Sequence, residues 1–182
     1  MKSIPFVLFT LAALASISAC SRKPSGPTVF ESPDHSFRFT VPEGASVPLP
    51  QSDLLADPAS AQTVDVTSRD EFGSFVVRRM RIPDKVWALE SDRQMLDEAQ
   101  GNLLRLPGAS IDREEDLKID DHAGRSVRLR DGSIPSKPQF SRLDFVLARP
   151  NLYILTFAAA RAEDLERPEV QKFFGSLVVG GK

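Results

Sequence analysis

The chain has one cysteine in 182 residues, Cys20, and it follows directly on the most hydrophobic stretch of the sequence. A lone cysteine cannot close an internal disulfide. Whatever folds downstream must therefore hold by packing alone. The preceding run, Ile4 to Ile17, reads IPFVLFTLAALASI with no charge. It is about 14 residues long, which suits an export signal and falls short of the roughly 20 residues that span a bilayer. Lys2 supplies the positive charge ahead of it and Ser18-Ala19 the small residues of a cleavage site.

Ile17-Ser18-Ala19-Cys20 resembles the lipobox of bacterial lipoproteins, an aliphatic residue and two small residues before the cysteine. The resemblance implies cleavage before Cys20, diacylglycerol on its sulfur and no thiol left for chemistry. Two or three acyl chains, at about 0.8 kcal/mol per buried methylene, make a durable membrane anchor where one would not. Ser21 stands where an aspartate would hold such a protein in the inner membrane. The same resemblance therefore implies the periplasmic face of the outer membrane. A chance cysteine beside a secretory cleavage site is the alternative.

The expected division is residues 1–19 as signal, 20–27 as lipidated cysteine and tether, and 28–182 as one globular domain. The tether, SRKPSGP after Cys20, reaches at most about 25 Å extended, so the domain lies close to the bilayer. Apolar residues make up 41% and charged residues 26%, the balance of an ordinary packed domain. Lys2 is the only charged residue of 1–19, so its loss moves the side-chain charge from −2 to −3. Nucleic-acid binding has no electrostatic support at that charge, and none is expected.

Phe37, Phe39 and Val41 alternate along a strand that Pro42-Glu43-Gly44 ends. Thr63–Thr67 alternates as well, and Ser74–Ile82 returns from a hairpin turn near Phe72-Gly73. Ser91 and Gln94 have capping-box spacing, and Leu96, Ala99, Leu103 and Leu106 line one face. Together they predict a long helix over Ser91–Leu106. Gly101 within it is read as a point of close approach to the sheet or as neutral. Further strands are expected in a region holding Ile111 and Leu117–Ile119, and at Ser126–Arg130, Gln139–Ala148 and Leu152–Ala159. The last is apolar on both faces and so belongs at the sheet centre. Pro168 opens a short helix ending near Gly175, with a final strand over Ser176–Val179. Short connections make the sheet mainly antiparallel. The fold class is α+β: that sheet packed against one long central helix and a short C-terminal helix.

The segment F-x-F-x-V-P-x-G at Phe37–Gly44, the central helix, the hairpin through Tyr153 and F-F-x-S-L at Phe173–Leu177 resemble the PsbP-like fold. The resemblance covers roughly residues 28–180. Its members bind or stabilise other proteins and are typically not enzymes. It implies a non-enzymatic binding or assembly module whose partner is another envelope protein.

Catalytic motifs are missing from the sequence. It holds no G-x-S-x-G, P-loop, dinucleotide fingerprint or zinc spacing, and neither an enzyme nor a cofactor is expected. His35 and His122 each adjoin acids in a turn; solvated turn residues are the reading preferred over a metal site, so no metal is assigned. Arg78, Arg79 and Arg81 share one strand, and Arg125, Arg128 and Arg130 another. If the strands were neighbours, Arg79 and Arg128 would converge as an anion or partner contact. The alternative is a solvated face neutralised by Asp65, Glu114, Glu115 and Asp116. Such a convergence would make the protein a carrier of a small anionic ligand in a pocket beside the sheet. Phe72 and Trp87 are candidate binding aromatics or core residues. The chain is expected to be monomeric.

Overall fold

Alternation in the first hairpin places Phe37, Phe39 and Val41 inward, all three buried, while Arg38 faces out. The computed structural model describes residues 28–42, 63–69, 71–103, 108–132 and 139–180. The expected signal and tether and Cys20 lie outside them, as do Leu106 of the expected helix and Pro48, Pro50 and Pro58. Strands β1 (Thr28–Glu31) and β2 (Phe37–Val41) pair antiparallel, and β9 (Val178–Val179) adds to β2 to make a three-stranded sheet. Its hairpin turn is held by side chains. Asp34 Oδ1 accepts from the Ser36 amide at 3.2 Å, Ser32 Oγ accepts from the Phe37 amide at 3.1 Å, and His35 takes a positive φ of 53°.

The larger sheet contains β3 (Thr63–Arg69), β4 (Gly73–Arg81), β5 (Ala109–Ile119), β6 (His122–Asp131), β7 (Gln139–Ala148) and β8 (Asn151–Ala159). Their order is β3-β4-β8-β7-β6-β5, every pairing antiparallel. Strand β8, apolar on both faces, sits at the centre as its sequence requires. Strand β5 is one continuous 11-residue strand through the region expected at Ile111 and Leu117–Ile119. Its charges at Asp112–Asp116 lie on an edge strand, where charge discourages further pairing.

The first face of this sheet is covered by the small sheet, a 3₁₀ helix (Ala162–Glu166) and the C-terminal helix Pro168–Phe174. Tyr153, Leu155 and Phe157 of β8, Phe75 and Val77 of β4 and Phe173 and Phe174 of that helix are buried here. The second face meets α1 (Asp84–Leu89) and α2 (Asp92–Leu103), with Met95 and Leu96 against Val127, Leu129, Leu143, Phe145 and Leu147. In chain order the C-terminal helix is α3.

The expected long central helix is not what forms. The helices have 6, 12 and 7 residues, and the sheet dominates. The capping box is there: the Ser91 amide donates to Gln94 Oε1 at 2.9 Å, and the Gln94 amide to Ser91 Oγ at 3.3 Å. A Cβ built on Gly101 would meet nothing within 4 Å, so that glycine mediates no close approach. Helix α1 was missed because six residues, DKVWAL, are too few to display a helical period. The shortness of α2 has a consequence. It is about 18 Å long and about 10 Å wide, enough to cover two strands of a sheet about 24 Å across. It lies over β6 and β7.

Candidate functional site

The part of the second face that α2 leaves open is an apolar trough. Three cross-strand rows build it: Val76–Thr156–Leu143, Arg78–Ile154–Phe145 and Met80–Leu152–Leu147. Ala99 and Asn102 of α2 form its far wall, and its volume is about 440 Å³. The floor, from Leu143, Phe145 and Leu152, is buried, while Val76, Ile154 and Thr156 are half-buried and Met80 is 37% exposed. Arg78, in the middle row, is the one charged residue lining the trough among the described residues. Asp65 of β3 stands opposite it in the register.

The two arginines singled out from the sequence are not brought together. Strands β4 and β6 are separated by β8 and β7. Arg79 aligns through Tyr153 and Val146 with Gly124, whereas Arg128 aligns through Arg142 and Phe157 with Phe75. They share the first face but stand three strands and four residues apart, about 20 Å. The buried aromatic core fills the space between them. The carrier built on Arg79 and Arg128 has no cavity to use.

Arg79, Arg128 and Arg142 on the first face instead each tie a covering element to the sheet. Arg79, its side chain 11% exposed, donates through Nη1 to Asp34 and Ser36 in the β1–β2 turn and lies over the Phe37 ring. Burial raises the Asp34 pKa, but hydrogen bonds from Ser32, Ser36 and Arg79 outweigh it and hold the carboxyl well below the usual carboxylate range. Burial also pushes the Tyr153 phenol up, opposed by hydrogen bonds from Ser36 and Asn151. Arg128 pairs with Glu166 of the 3₁₀ helix. Arg142 meets buried Asp144 through two hydrogen bonds of 3.1 and 2.9 Å, donates to Gln171 of α3 at 2.7 Å and lies 4.1 Å from the Phe174 ring centroid. On the second face, buried Arg125 pins α2 by donating to Asp97 and Gln100, each at 2.6 Å. Arg81 and Arg130 are exposed, Arg130 lying 6.0 Å from the Phe140 ring.

The candidate aromatics are engaged as well. Phe72 is half-buried beneath the Arg167 guanidinium, and Trp87 packs on the second core while its Nε1 donates to the Pro150 carbonyl at 3.4 Å. His35 lies 2.7 Å from Glu31 in one hairpin turn, and His122 opens β6 beside another. The described residues contain no group of three or more histidine, cysteine, aspartate or glutamate side chains placed to hold a metal. They also contain no helix long and apolar enough to cross a membrane.

Sequence reasoning grouped Arg78 with its neighbours but did not give it the trough. The signal was strand alternation: Arg78 must face away from Arg79 and Arg81. Met80, Ile154 and Thr156 looked like ordinary strand residues, because a trough is set by which strands a helix packs upon.

No family model and no curated protein sequence matches the chain. Solved structures do. Cyanobacterial PsbP (CyanoP) from Synechocystis sp. superposes with a TM-score of 0.56 at 13% identity, over 93% of this chain and 99% of that one. The Ran-binding protein Mog1p of Saccharomyces cerevisiae superposes with a TM-score of 0.53 at 10% identity, over 85% and 96%. At these identities the likeness is one of fold: the chain has a PsbP-like α+β architecture.

Proposed function

We propose that the protein is a non-enzymatic binding module of the bacterial envelope, lipid-anchored through Cys20 on the periplasmic face of the outer membrane. The lipobox-like Ile17–Cys20 and the short tether support the anchor. The fold supports a binding role by likeness only, since Mog1p is named for binding Ran. The observation that carries the binding reading is the trough, an apolar hollow that the described residues leave on the second face of the sheet. Sequence reasoning puts an envelope protein first among occupants and a small anionic ligand second. The size of the trough and the presence of Arg78 favour the second.

Two experiments test this. Palmitate labelling with a Cys20→Ser control tests the anchor; an unlabelled wild-type chain overturns it. A photo-crosslinking amino acid at Met80, in cells, tests the working surface. An adduct there and none from the same group at Arg130 on the opposite face supports the module. No adduct from Met80 overturns it.

A further inference from the structure

We propose that the trough binds a single-chain amphiphile with an anionic head, its tail lying along the floor between Met80 and Thr156 and its head at the Arg78 guanidinium. This rests on the binding reading above and names the ligand class. Size is the first argument. Ligand sites run from about 300 to 1,000 Å³, mostly apolar with a few fixed polar groups, and this trough has about 440 Å³. A single extended acyl chain suits a site of that size and lining.

Chemistry is the second argument. Val76, Met80, Leu143, Phe145, Leu152 and Ile154 offer a polar head no partner. The polar side chains are Arg78, Asn102 and Thr156, donors that suit a carboxylate or phosphate. A tail on the buried floor gains about 0.8 kcal/mol per methylene removed from water, while Arg78, exposed at the middle row, leaves the head in reach of solvent. Asp65 stands opposite Arg78 in the register, so a cationic amphiphile is the control for the sign of the head.

The full chain, reconstituted in phosphatidylcholine nanodiscs, is irradiated with a diazirine-bearing dodecanoate, and adducts are mapped by peptide mass. Adducts on β4 and β8, displaced by dodecanoate and not by butyrate, are expected. Dodecanoate should displace the probe about tenfold better than dodecanol, and Arg78→Gln should remove that preference while leaving dodecanol unchanged. Thr156→Phe and Met80→Trp, each checked for folding by thermal melting, should lower labelling at least fivefold by filling the trough. Labelling elsewhere, labelling indifferent to both filling variants, or stronger displacement by dodecyltrimethylammonium overturns the proposal. A protein adduct from the Met80 crosslinker without dodecanoate labelling sinks the ligand class and leaves the module standing. Absence of both sinks both.

Discussion

The two faces of the large sheet are built differently. Nine of the ten phenylalanines between residues 28 and 182 pack into the first core; Phe145 alone serves the second. Phe75 meets Phe157 at 4.5 Å and Phe173 at 5.0 Å, and Phe39 meets Phe173 edge-on at 6.0 Å. Three arginines then fasten the cover to the sheet: Arg79 to the β1–β2 turn, Arg128 to the 3₁₀ helix and Arg142 to α3. The second core is mainly aliphatic, its α2 is held by Arg125, and α2 packs chiefly on β6 and β7. One face is closed by mutually packed rings and charge clamps; the other carries the trough among the described residues. The proposed binding surface thus lies on the face opposite the aromatic core.

The comparison breaks most readily at Phe157, which is fully buried beneath Phe75. Phe157→Ala should cost about 3–5 kcal/mol in urea unfolding. Ile154→Ala, three residues away on the same strand but on the half-buried trough, should cost clearly less. Equal costs would mean that the trough is ordinary core. Next comes the clamp beneath α3. Asp144 is buried and serves Arg142 and Ser126 together. Asp144→Asn keeps the shape but leaves Arg142 without its counter-charge, and about 2 kcal/mol should be lost. No loss would mean that the clamp contributes no stability.

A smaller effect belongs to the hairpin clamp. The folded pKa of Asp34 is depressed below its ordinary 3.8, because hydrogen bonds from Ser32, Ser36 and Arg79 outweigh burial. A depressed carboxylate stabilises fully above the unfolded pKa and loses that contribution as pH falls toward the folded one. The wild type should therefore exceed Asp34→Asn at pH 6, with the gap closing below about pH 3.8. Asp34 is half exposed, so the gap should stay under about 1 kcal/mol. A gap that widens in acid would reverse the sign and remove Asp34 from the clamp.

How much of this could be read in the sequence depended on whether a feature is local. The Ser91–Gln94 box, the Pro168 helix start and the two-sided apolar β8 each rest on a few adjacent residues, and all three appear. The inward set Phe37, Phe39, Val41 followed from alternation alone. Strand order did not follow. The β4–β8 pairing joins segments some seventy residues apart, and it alone keeps Arg79 from Arg128 by inserting β8 and β7. The continuous β5 was hidden because edge strands tolerate charges that a buried strand would not. The trough was illegible for a geometric reason: it depends on which strands α2 packs upon, here β6 and β7, and no local run of residues states that.

The smallest expected effect is the sharpest on the role of the second face. Met80 is a large apolar side chain at the trough rim, 37% exposed, on a strand whose inward residues Phe75 and Val77 are buried. A residue kept for stability at that site would lose transfer energy and leave a void when shortened, about 2 kcal/mol or more for methionine in a core. A residue kept to meet an occupant gains its contacts only when the occupant is present. Met80→Ser should then change the unfolding free energy of the empty protein by no more than about 0.5 kcal/mol. The same substitution should remove most of the thermal stabilisation that saturating dodecanoate confers, since a ligand stabilises only in proportion to its affinity for the folded state. Thermal melts with and without dodecanoate separate the two: a large loss in the empty protein returns Met80 to the core, while a loss confined to the liganded protein assigns the rim to binding.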